Sequence, residues 1–364
     1  MRILVTGGAG FIGTHTVKAL IDAGHFPVVI DNLKEIKNEV ITSKLNIPLI
    51  KSNIGNKKIL IEILTGKHNA LKNTVHEDKF IEMIIHFAAL SNLRDSVENP
   101  LNYYQNNVTE TINLLEVICD SKLNLLRKES IPIPIIFSST CATYGIPYKL
   151  PIDENCPQNP ITPYGRTKLI IEMLIKELSY SHNLKSVILR YFNAAGASQN
   201  GLYGENRKKE THLIPLAINA ALGINKNLNI YGLDHPTFDG SCIRDYVHVL
   251  DIAEAHLLAI EKIKNELISK TISNKFPLSL EENYFEYNIG LEKGFSVLQI
   301  INKVEEIVGN NCPYTVIKKK QEEPAILIAS SKKIRRELKW KPKFNKIDDI
   351  VLHSFNWIKK YNNL

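Results

Sequence analysis

The stretch that decides the fold is Gly7-Gly8-Ala9-Gly10-Phe11-Ile12-Gly13, close to the start of the 364-residue chain. It follows an apolar, β-branched run over residues 2–6, which predicts a buried strand, and it precedes a helical pattern over residues 14–20. Glycines let a backbone approach a ligand closely, and the first turn of a helix presents free N–H groups and a positive dipole. Strand, glycine turn and helix together predict a dinucleotide-binding unit. The residues expected to contact the cofactor here are Gly7, Gly10, Phe11, Ile12 and Gly13.

An acidic residue follows the next predicted strand. That strand covers residues 27–30 and ends in Asp31, eighteen residues after Gly13. A carboxylate at this place accepts hydrogen bonds from the adenosine ribose hydroxyls and repels a 2′-phosphate. The sequence therefore predicts NAD, rather than NADP, as the cofactor.

A second motif is a tyrosine followed four residues later by a lysine, in Pro163-Tyr164-Gly165-Arg166-Thr167-Lys168. On a helix this lysine lies one turn along the same face, so its ammonium can stabilise a phenolate. A free phenol titrates near about 10 and needs such help to act as a base at neutral pH. The spacing alone also fits a surface helix with an incidental pair, but the nucleotide-binding unit before it favours catalysis.

Hydroxyl side chains follow the predicted strand over residues 133–138, at Ser139 and Thr140. In an open α/β sheet, ligands bind beyond the carboxyl ends of the strands, which is where this segment falls. A hydroxyl there can hydrogen-bond a reacting substrate oxygen. Ser and Thr are also ordinary turn residues, so the position is only a candidate site.

The order of predicted elements indicates an α/β protein, with a Rossmann-type doubly wound parallel sheet. Beyond residue 193 the chain has more glycines, prolines and polar loops, which predicts a smaller C-terminal α/β lobe for the substrate. We therefore expect an NAD-binding domain over residues 1–191 and a substrate-binding lobe over 192–364. A late strand near residues 284–290 is expected to rejoin the first domain, and the polar residues 264–283 to form a surface loop. Further strands are predicted at 48–51, 82–87 and 186–191, helices at 101–118 and 163–179, and only a small helix between residues 31 and 53.

Composition excludes several classes of protein. A hydrophobic fraction of 44% excludes disorder, and no run reaches the roughly 18 apolar residues of a membrane span. The net charge of +7 comes from scattered lysines, so we expect no nucleic-acid partner. Five cysteines without paired metal spacing predict no metal and a reduced, cytoplasmic protein. Because a core strand begins at residue 2, we expect no secretion signal.

The glycine spacing and the Tyr164–Lys168 pair resemble the extended branch of the short-chain dehydrogenase/reductase superfamily. A narrower likeness, to the UDP-glucose 4-epimerase family, runs from Met1 to about Trp340. Its motifs are His86-Phe87-Ala88-Ala89, Tyr103-Tyr104-Gln105-Asn106-Asn107-Val108, Leu189-Arg190-Tyr191-Phe192-Asn193 and Ile243-Arg244-Asp245-Tyr246-Val247-His248-Val249.

This resemblance implies a reaction and a set of residue roles. Tyr164 would remove the proton from the sugar 4-hydroxyl while C4 gives hydride to NAD. The resulting 4-keto sugar would rotate within the site before hydride returns to its opposite face. Lys168 would hold the nicotinamide ribose, and Thr140 would guide the proton transfer. Further cofactor contacts are implied for Asp31, Asn32, Asn53, Ile54, Phe87, Ala88, Ala89, Asn106 and Phe192. Substrate contacts are implied for Thr140, Tyr164, Asn193, His212, Leu213, Asn229, Tyr231, Arg244, Lys320, Glu323 and Leu327.

Two positions on the cofactor side differ from the family pattern. Asn53 stands where the family usually has an aspartate that holds adenine, and its amide oxygen keeps an acceptor. Ser91 replaces a lysine that is often found near the cofactor. Arg94, three residues on, is a candidate substitute for that lysine.

Three positions on the substrate side differ as well. Lys320 and Glu323 stand where the family usually offers an arginine and an aspartate, and a lysine lacks the bidentate fork of an arginine. Leu327 stands where some members have a bulky tyrosine over the sugar. A smaller side chain there suggests room for N-acetylated sugars.

Other enzymes that share these motifs are less consistent with the sequence. Dehydratases need an acid beside the motif threonine, and decarboxylases favour a glutamate, but Cys141 and Ala142 follow Thr140 here. Epimerisation of UDP-glucose and UDP-galactose is thus the first expectation. A UDP-arabinose/UDP-xylose or UDP-N-acetylhexosamine 4-epimerase, and more distantly a non-catalytic NAD-binding sensor, remain open. The family also implies a homodimer, which pairs through the helices predicted at 101–118 and 163–179.

Overall fold

The structure, a computed structural model, describes residues 1–37, 41–271, 283–318 and 323–363. Its strands are β1 Arg2–Thr6, β2 Phe26–Asp31, β3 Leu49–Lys51, β4 Met83–His86, β5 Ile135–Thr140, β6 Ser186–Tyr191, β7 Asn193–Ala195, β8 Leu228–Tyr231, β9 Ile243–His248, β10 Tyr284–Ile289, β11 Gly294–Ser296, β12 Tyr314–Ile317 and β13 Ile326–Leu327. Its α-helices are α1 Phe11–Asp22, α2 Ile41–Leu45, α3 Lys57–Leu64, α4 Leu93–Glu98, α5 Pro100–Tyr103, α6 Glu110–Cys119, α7 Ser121–Arg127, α8 Pro163–Ser181, α9 Leu213–Ala221, α10 Val249–Thr271, α11 Val297–Val308, α12 Lys332–Glu337 and α13 Ile347–Tyr361.

The main sheet has seven strands in the order β3-β2-β1-β4-β5-β6-β10, and every neighbouring pair is parallel. The order reverses at β1, where the chain first runs outward to β3 and then returns to β4. This is the doubly wound arrangement, and it confirms the fold class expected from the sequence. The reversal leaves a crevice at the carboxyl ends of β1 and β4.

Both faces of the sheet are covered, which explains the continuous apolar runs of its strands. In β1, Ile3 and Val5 face a core shared with α1 and α10, whereas Leu4 faces a second core that includes residues of α3, α6 and α8. All three side chains are fully buried. Alternating residues of one strand therefore enter two different cores.

Most elements lie where the sequence predicts them. The late strand is confirmed as β10, which pairs with β6, and the crossover helix α2 is indeed short. The prediction of a surface loop over residues 264–283 is wrong for residues 264–271, because α10 continues through them. Its buried residues Ile252, Ala259 and Ile263 hold it on the sheet, and the polar turns beyond extend the same helix. Residues 272–282 lie outside the described ranges.

The helix predicted over residues 101–118 is interrupted. It consists of α5, a π-helical turn over Tyr104–Thr109, and α6. Such π-helical turns are rare and are frequently found at functional sites. This one carries Asn106, a predicted cofactor contact.

The second half of the chain adds a small sheet in which β9 is central. It pairs with β7 and β13 in parallel and with β11 antiparallel, while β8 and β12 form a separate parallel pair. The buried carboxylate of Asp245 on β9 accepts from the backbone N–H groups of Leu291, Glu292 and Ala329. Burial raises the pKa of Asp245 to about 7. The division at residue 192 stays a prediction, since α10 from the second half packs against α1 of the first.

A buried ion pair fixes α8 to the sheet. Glu172 on α8 and Arg190 on β6 are almost completely buried, and the guanidinium donates from Nη2 to the carboxylate at 2.7 Å. Ser139 on β5 donates a short hydrogen bond to the same carboxylate. Arg190 also pairs with Glu286 on β10. One buried carboxylate therefore ties α8 directly to β5 and β6, and through Arg190 to β10.

We predict that Glu172→Gln lowers the stability of the protein by about 3 kcal/mol, because it leaves the Arg190 charge buried with one counter-ion fewer. The midpoint of urea unfolding, followed by circular dichroism, measures this change. Asp22→Asn is the matched control, since Asp22 pairs with Lys18 at the surface and its loss should cost less than about 1 kcal/mol. Equal shifts for the two variants would show that the buried pair contributes nothing special.

Candidate active site

The glycine turn is packed too closely to accept side chains. Gly7 has φ +66°, and a Cβ atom there would lie 2.6 Å from the backbone nitrogen of Ala88. A Cβ on Gly13 would lie 2.5 Å from the carbonyl oxygen of Gly7. Gly10, between them, comes directly before the first turn of α1. The turn is thus a cradle of bare backbone at a helix N-terminus, which fits a dinucleotide diphosphate.

Asp31 lies at the carboxyl end of β2, beside this turn. Its carboxylate accepts from the backbone N–H of Ala9 at 3.2 Å and from that of Leu33 at 2.8 Å. These bonds fix the carboxylate at the edge of the crevice. The arrangement places an acceptor where an adenosine ribose would lie.

Three further candidate cofactor contacts, Asn32 after β2 and Asn53 and Ile54 after β3, also lie at this edge. Asn32 donates from its amide to the side-chain oxygen of Asn53 at 3.2 Å. Ile54 is only 6% exposed and its side chain packs in the core on that face of the sheet.

The segment after β4 forms the other side of the crevice. Phe87, Ala88 and Ala89 are half-buried there, and the Phe87 ring packs against His256 with a centroid distance of 4.8 Å. Asn106 donates to Asn107 at 3.0 Å.

Asn107 is a residue whose role the sequence did not reveal. It accepts from the backbone N–H of Leu90 at 2.8 Å, and its amide donates to Leu90 O and to Thr167 Oγ1 on α8. The π-helical turn places this buried amide between the β4 loop and α8. It therefore holds the predicted cofactor segment and the catalytic helix at a fixed separation.

Thr140, Tyr164 and Lys168 are brought together at the carboxyl end of β5. Helix α8 begins at Pro163, and the Thr162 side chain caps it by accepting from Gly165 N at 3.2 Å. A Cβ on Gly165 would lie 2.6 Å from Ala142 O, so the helix start is pressed against the turn that follows Thr140. This contact puts Tyr164 beside Thr140.

The Tyr164 phenol is buried, with 9% of the residue exposed. Burial raises its pKa to about 12, although a hydrogen bond from Thr140 and the positive charge of Arg207 both act to lower it. The phenol is therefore protonated at neutral pH in the protein alone. Further positive charge is needed to make it a base.

Lys168 is also buried, and its ammonium donates to the carbonyl oxygen of Ser138 at 2.6 Å. It lies over the Phe137 ring, 4.7 Å from its centroid. Burial lowers its pKa to about 7, against the opposing pull of the Glu172 carboxylate. The site thus holds a lysine that changes charge near neutral pH.

An ion-pair cluster that the sequence did not indicate lies near Tyr164. Arg207 donates from Nε to Glu205 at 2.6 Å and from Nη1 to Ser91 Oγ at 3.2 Å. His212, a predicted substrate contact, lies with its Nδ1 2.8 Å from Glu205 Oε1, the same oxygen that accepts from Arg207. The arginine whose side chain contacts Ser91 is Arg207. No sequence signal marks this contact, because Arg207 stands in the basic run Arg207-Lys208-Lys209 and is 116 residues from Ser91.

Glu205 and His212 of this cluster, together with Glu210, have the spacing of a cation site. Ligand atoms of Glu205, Glu210 and His212 all lie within 4.8 Å of one another. Arg207 already neutralises Glu205, so these residues form an ion-pair cluster.

Phe192 and Leu327 lie together on the substrate side. Both are buried in a small cluster with Cys141 and Tyr144, directly beyond Thr140. Leu327 is on β13, paired with Arg244 on β9.

Arg94 joins the two halves of the chain on this side. Its guanidinium carbon lies 3.2 Å from the centroid of the Tyr231 ring, and its Nη2 lies 3.8 Å from Glu323. Tyr231 is at the end of β8, and Asn229 on the same strand is exposed. Lys320 lies outside the described residues.

The remaining predicted substrate contacts are partly exposed. Arg244 donates to the backbone oxygens of Ile243 and Ala325. Asn193 begins β7, and Leu213 begins α9.

Within the described ranges, no helix is long and apolar enough to cross a membrane.

A doubly wound parallel sheet with this buried tyrosine and lysine at its carboxyl edge defines a nucleotide-dependent enzyme of the short-chain dehydrogenase/reductase class. The model of the NAD dependent epimerase/dehydratase family matches residues 3–273. The UDP-glucose 4-epimerase of Halalkalibacterium halodurans is 38% identical over 361 residues, which are 99% of this chain and 96% of that protein.

Solved structures agree with this match. The UDP-glucose 4-epimerase of Brucella ovis, solved in complex with NAD, is 36% identical with a TM-score of 0.82 over 97% of each chain. The UDP-Glc/GlcNAc 4-epimerase of Campylobacter jejuni is 32% identical with a TM-score of 0.74 over 99% of each chain. The chain belongs to the NAD-dependent epimerase/dehydratase family and, within it, to the UDP-glucose 4-epimerases. It is an NAD-dependent enzyme of UDP-hexose 4-epimerisation.

We predict that Lys168→Met makes the nucleotide-free protein more stable below pH 7. The folded pKa of Lys168, about 7, is below the value of about 10.5 expected when unfolded, so folding must bury a charge at low pH. That penalty falls as the pH rises from about 7 to 10.5, and the advantage of the variant should shrink over the same range. Thermal unfolding midpoints across pH measure it, with the exposed Lys57→Met as control. If the difference in unfolding midpoint between Lys168→Met and the wild type does not vary with pH, the lowered pKa of Lys168 is refuted.

Proposed function

We propose that Tyr164 is the general base of a 4-epimerase that acts on UDP-glucose and UDP-galactose. The observation that carries this proposal is one buried phenol beside the Thr140 hydroxyl, at the same carboxyl edge of the sheet that carries the glycine cradle. Ligands of doubly wound sheets bind at this edge. A sugar hydroxyl held between Thr140 and Tyr164 would be in reach of both.

In this proposal one proton moves from the sugar to Tyr164 and back again in each cycle. Tyr164 Oη takes the proton of the sugar 4-hydroxyl as C4 is oxidised, and returns it when the 4-keto sugar is reduced on its other face. Bound NAD supplies a reversible hydride acceptor and a positively charged ring. Thr140 donates to the Tyr164 oxygen and so favours its ionised form. Lys168 adds charge one turn along the helix.

The remaining site residues bind the two ligands. For the cofactor we propose Gly7, Gly10, Phe11, Ile12, Gly13, Asp31, Asn32, Asn53, Ile54, Phe87, Ala88, Ala89, Asn106, Lys168 and Phe192. For the UDP-sugar we propose Asn193, His212, Leu213, Asn229, Tyr231, Arg244, Lys320, Glu323 and Leu327, together with Thr140 and Tyr164. The bare glycine cradle supports the first set, and the Arg94–Tyr231–Glu323 contact across the cleft supports an aromatic base pocket in the second.

A second sugar class is favoured by one observation. Leu327 packs beside Phe192, beyond Thr140, and it is smaller than the tyrosine found there in some family members. We propose that this leaves room for a 2-acetamido group, so that UDP-N-acetylhexosamines are also accepted.

We further propose a homodimer. Large apolar side chains are exposed on α5, α6 and α8, including Leu101, Ile112 and Met173. Between α6 and α8 lies a groove of about 450 Å³, lined in part by Ile112 and Leu178. Pairing the two helices with those of a second copy would cover this apolar face. The five free cysteines agree with a cytoplasmic location, which we also propose.

We predict that Tyr164→Phe lowers kcat on the order of a thousandfold, because general-base catalysis is lost while the fold and ligand contacts of the ring remain. Conversion of UDP-galactose to UDP-glucose, followed by NMR without added NAD, measures the rate. The same assay with UDP-N-acetylgalactosamine and UDP-arabinose ranks the sugars.

Tyr148→Phe is the control for this experiment, since Tyr148 is 70% exposed outside the site. It should keep the wild-type rate. Undiminished conversion by Tyr164→Phe would refute the assigned base, whereas turnover of another UDP-sugar alone would change the substrate and keep the mechanism.

We predict that Met173→Glu converts the dimer to a monomer, because a charge would be buried in the apolar contact. Light scattering coupled to size exclusion measures the mass. Val75→Glu is the control, since Val75 is equally exposed but lies in a loop far along the chain from α6 and α8. A monomeric wild-type protein would overturn the proposal at once.

A further inference from the structure

A short segment of the second half of the chain, residues 204–208, lies against the first half, and we call it the strap. Its backbone pairs with the loop that follows β2: Arg207 forms an antiparallel bridge with Ile36, and Lys208 N donates to Glu35 O at 3.0 Å. The strap is therefore attached at the side of the crevice where Asp31 lies.

The Arg207 side chain reaches the opposite side of the crevice. Its Nη1 donates to Ser91 Oγ at 3.2 Å, and Ser91 follows β4. Because β1 lies between β2 and β4 in the sheet, a contact that joins the loops after β2 and β4 must pass over the carboxyl end of β1. The glycine turn begins there, at Gly7. This strand order indicates that the Arg207 guanidinium lies above the cradle.

The strap is held rigidly from behind. The Trp357 indole donates to Glu205 O at 2.9 Å, and a Cβ on Gly204 would lie 2.5 Å from the Trp357 ring. The Glu205 side chain is 5% exposed and accepts from Arg207 Nε. Burial alone would raise the pKa of Glu205, but His212 and Arg207 lower it to about 2. The carboxylate is therefore charged at any working pH and keeps the guanidinium in place.

The guanidinium still has donors to offer. Its contacts with Glu205, Ser91 and His212 use at most three of its five N–H groups, counted over the described part of the chain. Its charge also acts on Tyr164, so it lies within electrostatic reach of the proposed base. A fixed, partly unused guanidinium above a glycine cradle suits a diphosphate, which it can bind through two parallel hydrogen bonds.

We propose that Arg207 binds the diphosphate of the dinucleotide from the side opposite the glycine turn, so that the strap holds the cofactor in the crevice. This inference rests on the proposed cofactor site at the glycine turn. Glu205 is the positioning residue that orients the guanidinium. The cofactor is thereby held by backbone N–H groups below and by a charged side chain above.

The rate of NAD loss from the purified holoenzyme tests this role. Each protein is diluted into buffer that contains a nucleotide-degrading enzyme, and bound NAD is measured over time after rapid desalting. We expect Arg207→Gln to lose NAD about tenfold faster or more, as removal of a charged hydrogen bond predicts. Arg207→Lys keeps the charge without the forked guanidinium, so its rate of NAD loss should lie between those of the wild type and Arg207→Gln.

Lys208→Gln is the matched control. Lys208 is exposed on the same strap, so its loss changes the net charge equally but removes no donor above the cradle. It should leave the rate of NAD loss unchanged. If Lys208→Gln and Arg207→Gln accelerate NAD loss equally, the proposal is overturned, because the overall positive charge of the strap would then explain both effects.

A second arm separates the cofactor from the substrate diphosphate. The affinity of each holoenzyme for UDP is measured by calorimetry, and Arg207→Gln should change it less than twofold. Weaker UDP binding with unchanged NAD loss would overturn the proposal and assign the guanidinium to the substrate. A wild-type protein that binds no NAD would refute the proposed function itself, whereas equal retention by wild type and Arg207→Gln would refute this inference alone.

Discussion

The buried pair of Glu172 and Arg190 is the interaction on which the site geometry depends. A charge that leaves water needs a partner at a defined distance, so the two elements that carry such a pair cannot slide past one another. Here those elements are α8 and β6, with β5 joined to the same carboxylate through Ser139. Tyr164, Lys168 and Glu172 follow one another at intervals of four on α8 and share one face. The carboxylate at the third of these positions thus fixes where the other two meet the sheet.

Burial gives the site its chemistry as well as its shape, and the two effects oppose each other. It raises the pKa of Tyr164 to about 12 and lowers that of Lys168 to about 7, so burial works against the charged form of both groups. A phenolate then requires positive charge that the helix alone does not supply. The Arg207 guanidinium contributes some, and the charged ring of the cofactor would contribute more. The proposed base is therefore ionised to a useful extent only when further positive charge, such as that of the cofactor ring, lies beside it.

Sequence reasoning succeeded where the signal is local and failed where it is not. The strand, glycine turn and helix at the N-terminus were predicted because apolar runs and glycine spacing act within a few residues. The same holds for the helix that carries Tyr164 and Lys168. The extension of α10 through residues 264–271 was missed because its polar turns depend on buried residues one and two turns earlier. Arg207 was missed because its partner Ser91 is 116 residues away, and no period or motif records such a contact.

The two sides of the crevice are closed by different kinds of contact, and this difference follows the needs of the reaction. On the cofactor side, backbone hydrogen bonds and a buried carboxylate hold the strap, and opening it would break several of them together. On the proposed substrate side, the side chain of Arg94 crosses the cleft, to the Tyr231 ring and to Glu323 at 3.8 Å. An ion pair of this length is worth less than about 1 kcal/mol and an exposed cation–π contact about as much, so rotation of one side chain breaks fewer contacts here than opening the strap would. An epimerase restores its cofactor in each cycle and exchanges only the sugar nucleotide. A crevice that is firmly closed on one side and loosely closed on the other is the arrangement that such a cycle requires.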